Sequence, residues 1–168
     1  WKTDDMVDGL SGVINLAAAS GENLASVSDI VTDAMTAFGM SAAESTHFAD
    51  VLAKASSSAN TNVGMMGETF KYVAPLAGTL GYSVEDMSIG IGLMANAGIK
   101  GSQAGTSLKT ALANMAKPTD KQAAAMDDLG ISLENATGGT KSFMEVMENL
   151  RSSIGGIDVE LVDSEGNL

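Results

Sequence analysis

Residues 81–118 read GYSVEDMSIGIGLMANAGIKGSQAGTSLKTALANMAKP, and this stretch decides the fold. Its first half begins at Ser83, a favourable N-cap, and Asp86 follows where a carboxylate meets the free N–H groups of a helix start. Tyr82 and Met87 have the spacing of a hydrophobic staple across that cap. Apolar residues then recur at helical intervals, at Val84, Met87, Ile91 and Met94. This half therefore predicts an amphipathic helix.

The second half of the stretch predicts a partner helix. Gly98 suits a C′ position with positive φ, and Ile99 is placed for the apolar contact of a Schellman ending. Ser102 is the predicted cap of the next helix, and Pro118 prevents its simple continuation. The predicted inward face of this helix consists of Ala104, Leu108, Ala111, Leu112 and Met115. The stretch thus predicts an αα-hairpin whose turn is residues 98–101.

Two glycines lie inside the first of these helices, at Gly90 and Gly92. Each glycine costs about 1 kcal/mol relative to alanine in a helix interior. Either both lie on a tolerant surface, or a neighbouring helix approaches the backbone closely. The small residues nearby, such as Ala95, Ala97 and Gly105, favour close approach.

The rest of the chain predicts more helices of the same kind. A first helix runs from Thr3 to Gly21, and its predicted inward stripe is Met6, Leu10, Val13, Ile14 and Ala17. A second ends at Gly39 and turns Leu24, Val27, Val31, Ala34, Met35 and Phe38 inward. Three later helices begin with capping-box pairs, which are Ser41 with Glu44, Thr119 with Gln122, and Ser142 with Glu145.

A further helix, with Val63, Met66, Phe70, Val73, Ala77 and Leu80 in register, contains Pro75. Proline removes a backbone hydrogen bond and clashes with the preceding turn, so we expect a kink or a break near Tyr72 to Ala74. The predicted fold class is all-α, a bundle of αα-hairpins with six to eight helices. One short strand pair is expected at most, near Ile131–Leu133 and Val159–Leu161. We expect a helical module over residues 1–154, and a turn- or strand-like tail over 155–168 truncated from a longer chain.

The composition excludes several functional classes. The formal net charge is −12, from 21 acidic and nine basic residues, which disfavours binding to nucleic-acid phosphates or to anionic membranes. The chain has no cysteine, so it has no disulfide and no thiolate chemistry. The most apolar stretch, Met87 to Ile99, is too short to span a bilayer.

Few residues converge on any chemistry. His47 is the single histidine, which leaves no histidine cluster for a metal, and the sequence shows no nucleophile paired with it. A surface or half-buried structural role is the preferred interpretation of His47. The adjacent carboxylates of Asp4-Asp5 and Asp127-Asp128 point in different directions on a helix, so neither pair is a catalytic dyad. The sequence therefore predicts no enzyme, and no catalytic, cofactor-binding or metal-binding residue.

Several segments together resemble the core region of phage tail tape measure proteins. The resemblance extends in order from about Val7 to Arg151, which makes it far more specific than a short motif. It is carried by residues 15–21 (NLAAASG), 33–39 (DAMTAFG), 71–78 (KYVAPLAG), 80–83 (LGYS), 95–106 (ANAGIKGSQAGT), 116–119 (AKPT) and 129–131 (LGI).

The resemblance implies a structural part of a phage or prophage tail. Such a protein is expected to lie in the lumen of the tail tube, to set tail length, and to be synthesised in the host cytoplasm. Its expected partners are further copies of itself and the tube, tail-tip and tail assembly proteins, with neither sequence-specific nucleic-acid binding nor membrane insertion by this segment. Some tape measure proteins carry peptidoglycan-cleaving domains, and nothing here resembles one. Without the resemblance, a helical interaction module of an adhesin, secretion or signalling protein fits the same residues.

Overall fold

The computed structural model describes residues 3–135 and 137–155, and eight α-helices account for most of them. The predicted all-α bundle is confirmed. The helices are α1 (Thr3–Ser20), α2 (Leu24–Phe38), α3 (Ser45–Ser58), α4 (Val63–Leu80), α5 (Val84–Asn96), α6 (Gly101–Ala116), α7 (Asp120–Asp128) and α8 (Phe143–Gly155). A short 3₁₀ turn, Ala42–Glu44, leads into α3.

The first six helices form two layers of stacked helical pairs. Helix α3 packs between α1 and α5 in one layer, and α4 packs between α2 and α6 in the other. Helices of the same layer run parallel. In the first layer, Gly12 in the middle of α1 contacts Ser45 at the start of α3, and Ala19 near the end of α1 lies beside Ser56 near the end of α3. The chain thus builds an array of three αα-hairpins, α1–α2, α3–α4 and α5–α6, as solenoid proteins do. The core between the layers includes Val27, Met35, Phe48, Leu52, Met66, Phe70 and Met87.

Successive pairs are joined by similar junctions. At the first junction Gly39 has a φ of 71°, and the N–H of Met40 donates to the Met35 carbonyl at 2.8 Å. At the second, Gly81 has a φ of 82°, and the N–H of Tyr82 donates to the Ala77 carbonyl at 3.0 Å. Each junction ends in a capping box, the first formed by Ser41 with Glu44 and the second by Ser83 with Asp86. A left-handed glycine and a serine cap therefore turn the chain from one pair into the next.

The predicted central hairpin is confirmed, with two corrections. Gly98 has a φ of 87°, and the N–H of Ile99 donates to the Met94 carbonyl at 2.9 Å, as a Schellman ending requires. Ser102 does not cap α6, because the extended backbone of Lys100 serves as its N-cap and the helix begins at Gly101. Ala111 is exposed rather than inward, and Gly105 is buried instead.

Several glycines lie where two helices approach each other closely. A Cβ built on Gly105 would lie 2.7 Å from the carbonyl oxygen of Thr69, so α4 rests directly on the α6 backbone. A Cβ on Gly90 would lie 2.8 Å from the ring of Phe143 in α8. The close approach predicted at Gly90 or Gly92 is thus confirmed at Gly90.

The predicted inward stripe of α1 is confirmed at Val13 and Ala17, which pack into the core, and wrong at Met6, Leu10 and Ile14. The helix buries Gly9, Gly12, Val13 and Leu16, whereas Met6, Leu10 and Ile14 are exposed. The cause is the tight contact with α3, because Ser45 lies where any side chain at position 12 would be. Leu24 of the predicted α2 face is also exposed.

Two further expectations, one about the helix around Pro75 and one about a strand pair, differ from the structure. Of the kink or break expected near Tyr72 to Ala74, the break does not occur, since α4 is one helix from Val63 to Leu80 with Pro75 inside it, and the kink stays a prediction. Ile131–Leu133 forms no strand. It leads instead to a single antiparallel bridge between Glu134 and Thr140. The other half of the expected strand pair, Val159–Leu161, and all of the predicted tail except Gly155 lie outside the described residues.

Helix α8 covers the outer side of α5. Asp86 belongs to the capping box of α5, and its Oδ1 also accepts a hydrogen bond from the Phe143 N–H at 3.1 Å. The Phe143 ring meets Tyr82 edge to face, with ring centroids 6.3 Å apart. The Thr140 hydroxyl donates to the Leu80 carbonyl at 2.9 Å. One carboxylate therefore fixes the starts of two helices.

Candidate functional site

An open groove of 620 Å³ lies between the parallel helices α3 and α5. Helical periodicity builds it, since residues three or four apart on each helix share one face. From α3 come His47, Asp50, Val51, Lys54, Ala55 and Ser58; from α5 come Glu85, Ser88, Ile89, Gly92, Leu93 and Asn96; and Ala59 closes one end. Small side chains at Ala55, Ala59, Ser88 and Gly92 keep the groove open.

Ile89 and Leu93 give the groove an apolar wall. They are 44% and 52% exposed, which is high for large apolar side chains on a packed helix. Because they lie one turn apart on α5, the two side chains form a small apolar patch on this wall.

Polar contacts tie both ends of the groove. At the end where both helices begin, Nε2 of His47 lies 2.5 Å from Oε1 of Glu85. At the other end, the Asn60 N–H donates to Oδ1 of Asn96 at 2.8 Å. The side chains of His47 and Glu85 are 58% and 44% exposed, so their pairing contributes at most about 1 kcal/mol when the histidine is charged. The two contacts hold α3 and α5 in register while the middle of the groove stays open.

The electrostatics at the histidine end favour an ionised carboxylate. Partial burial raises the pKa of Glu85, but hydrogen bonds from its own backbone, Ser83 and His47 outweigh burial and hold that pKa below its usual range. Glu85 is therefore an anion at neutral pH, oriented by the ring beside it.

The groove lacks the constellation that nucleophilic catalysis requires. Ser88 lines the groove, and its hydroxyl is buried without any hydrogen-bond partner. No hydrogen bond joins it to His47, so the histidine does not activate it. Among the described residues, no group of three or more histidine, aspartate or glutamate side chains is placed to hold a metal ion.

The sequence placed His47 on a helix surface, and a purely structural role for it stays a prediction. Sequence reasoning missed the groove itself. The available signal was the spacing of small residues, Ala55 with Ala59 and Ser88 with Gly92, each four residues apart. Within the described ranges, no helix is both long enough and apolar enough to cross a membrane.

Comparison with known proteins gives consistent results. The model of a family described as "Phage-related minor tail protein" matches residues 1–163. The "Tape measure protein" of Pneumococcus phage Dp-1 is 39% identical over 160 residues, which are 95% of this chain and 14% of that protein. The "Probable tape measure protein" of Escherichia phage P2 is 26% identical over 140 residues, which are 83% of this chain and 17% of that protein.

The chain therefore spans less than a fifth of the length of either relative. No solved structure matches it.

Proposed function

Because this chain belongs to the phage-related minor tail protein family, we propose that it is a structural segment of a tape measure protein, occupying the tail tube lumen and helping to set tail length. The observation that carries the proposal is the 39% identity to a tape measure protein over 95% of the chain. The predicted resemblance to tape measure proteins is confirmed by the same comparisons. The matched residues are about one seventh of that relative. The role of the longer protein to which this chain belongs is therefore part of the proposal.

The physical properties of the chain support a place inside a tube through which DNA passes. A net charge of −12 repels nucleic-acid phosphates, so the segment is not expected to retain DNA during its passage. The packing of α4 on Gly105 of α6 shows helices at close approach, which suits a confined lumen. Synthesis in the host cytoplasm and contacts with the tube, tail tip and assembly proteins belong to the same proposal.

We also propose that this segment is structural and not catalytic. The support is the geometry around His47, which pairs with Glu85 and not with a nucleophile. The helical module over residues 1–154 is then a unit of architecture within a longer chain.

An in-frame deletion of the three helical pairs, residues 3–116, tests the ruler role in a phage that encodes this chain. Tail length is measured by electron microscopy. If the segment keeps its folded array in the tail, tails should shorten by about 30 Å, because the deletion removes three stacked pairs and packed helices lie about 8–10 Å apart. If the segment is drawn out into a continuous helix inside the tail, the loss should be about 170 Å.

A matched duplication of the same residues is the control, and it should lengthen tails by the same amount. Tails of parental length in both phages would contradict the ruler role. The alternative, a helical module of an adhesin, secretion or signalling protein, has no observation in its favour once the family is known. It predicts that neither the deletion nor the duplication changes tail length.

A further inference from the structure

Helix α1 carries an apolar ridge that the described residues leave largely exposed. The ridge consists of Met6, Val7, Leu10 and Ile14, which are 59%, 70%, 50% and 46% exposed. Single exposed apolar residues are ordinary on a protein surface, but these four recur at helical spacing and so share one side of α1. The ridge is therefore a continuous apolar stripe, of the kind that a surface helix normally turns towards a packing partner.

The ridge faces away from α3. On the α3 side of α1, the backbone at Gly12 lies directly against Ser45. Leu10 and Ile14 each lie about 160° around the helix axis from Gly12, since each residue turns an α-helix by about 100°. The ridge therefore lines the position beyond α1 in the first layer, where a further helix of that layer would pack.

The other end of the first layer is closed. A Cβ at Gly92 of α5 would meet Ala59, at the end of α3. A Cβ at Gly90, on a different side of α5, would lie 2.8 Å from the Phe143 ring of α8. Helix α8 therefore continues the first layer beyond α5. The side of α8 opposite Phe143 is exposed and polar, at Glu145, Glu148 and Ser152.

The two ends of the first layer thus differ in chemistry. A stack of helical repeats needs a polar outer face on its terminal members to stay in solution. Helix α8 provides such a face at one end, whereas α1 presents large apolar side chains at the other. The stack is therefore finished at α8 and unfinished at α1.

The order of helices in the first layer follows their order in the chain, from α1 through α3 and α5 to α8. A helix on the open side of α1 would by the same rule come before α1, since consecutive elements usually pack as neighbours. The length of the relatives leaves room for such a helix, because the matched residues are only 14% and 17% of those proteins.

We propose that the α1 ridge is the docking surface for an amphipathic helix that precedes this chain in a longer protein. The helix extends the first layer by one member and turns an apolar stripe towards Leu10. This inference rests on the proposed function for the existence of the longer protein. A second copy of the chain is a poorer occupant, because two copies that each carry a formal charge of −12 repel each other.

Methionine oxidation tests the proposal on native residues. Met6 belongs to the ridge, and Met65 of α4 is 41% exposed and lies outside it. Dilute hydrogen peroxide is applied to three proteins: the 168-residue chain, the longer protein encoded by a phage that carries this sequence, and a form of that longer protein that begins at residue 1. Peptide mass spectrometry gives the oxidation rate at each methionine.

Met6 should oxidise about fivefold or more slower in the longer protein than in the other two proteins, because a docked helix shields its sulfur from peroxide. Met65 should oxidise at a similar rate in all three, because it lies on a different helix from the ridge.

Leu10→Glu separates docking from folding. In the 168-residue chain it should leave the thermal unfolding almost unchanged, because Leu10 is 50% exposed there. In the longer protein it should raise the oxidation rate of Met6 to that of the 168-residue chain, because it places a charge in an apolar contact. Leu93→Glu is the matched control, since Leu93 is 52% exposed on α5, and Met6 should stay protected in that variant.

Three results would each overturn the proposal. Fast oxidation of Met6 in the longer protein would show that the ridge stays open. Protection that persists in the form beginning at residue 1 would place the covering segment after this chain. Slow oxidation in the 168-residue chain would show that the chain covers its own ridge or, if the rate depends on protein concentration, that a second copy does. Tail length enters none of these measurements, so the docking and the ruler role fail independently.

Discussion

Glu44 shows how much one side chain does at a junction between helical pairs. Its Oε2 accepts hydrogen bonds from the backbone N–H and the hydroxyl of Ser41, both at 2.8 Å. The backbone hydrogen bond, followed by that from the Ser41 hydroxyl, lowers the pKa of Glu44. The carboxylate is therefore more stable ionised in the folded chain than in the unfolded one.

We predict that part of the acid sensitivity of this protein comes from Glu44. Because its folded pKa is lower than its unfolded pKa, ionised Glu44 stabilises the fold above about pH 4, and this contribution is lost as the pH falls through the folded pKa. Glu44→Gln should keep the cap but lose less stability than the parent between pH 7 and pH 3, measured by thermal unfolding.

The box at Thr119 gives the converse control, because it uses Gln122 naturally. Gln122→Glu should add acid sensitivity at that box. A Glu44→Gln profile parallel to that of the parent would show that Glu44 contributes nothing to the acid response.

At the scale of helices, the α4–α6 contact depends on the absence of a side chain at Gly105. Alanine there would gain up to about 1 kcal/mol in helix propensity, but its Cβ would lie 2.7 Å from the Thr69 carbonyl oxygen. We predict that the clash wins and that Gly105→Ala lowers the free energy of unfolding by about 1–3 kcal/mol, measured in urea.

Gly92→Ala in α5 is the control for Gly105→Ala, because both replace a buried helix glycine by alanine. A Cβ at Gly92 would meet only the Cβ of Ala59, at 3.3 Å, beyond the end of α3. Gly92→Ala should therefore cost clearly less than Gly105→Ala. Equal effects, or a stabilised Gly105→Ala, would mean that α4 does not rest on the α6 backbone.

The helices themselves were predictable because their signals are local. The helix-ending glycines at positions 39 and 98, the capping box at Ser41 and the N-cap at Ser83 depend only on neighbouring residues, and the structure confirms them. The inward face of α1 was not predictable in this way. Large apolar residues suggested one face, and the tertiary contact between Gly12 and Ser45 selected another. The groove was hidden for the same reason, since α3 and α5 meet through residues about 40 positions apart.

The charge of the whole molecule also bears on its stability. With 21 acidic and nine basic residues, the folded chain concentrates like charges that the unfolded chain keeps further apart. We predict that NaCl raises the unfolding temperature at neutral pH, with most of the rise below about 0.5 M, where screening changes most. The melts should be run at a protein concentration where the chain is monomeric, so that association does not contribute. A falling unfolding temperature with added NaCl would contradict this.

The repeated junction has a consequence for the gene. Gly39 and Gly81 are 42 residues apart, and each begins the same turn into a new helical pair. Recombination between two such junctions would insert or remove one whole helical pair, and the pairs on either side would keep their internal contacts. Variants of this segment that arise by duplication should then differ in length by steps of about 42 codons, and each step should add one helical pair, or about 8–10 Å, to the array.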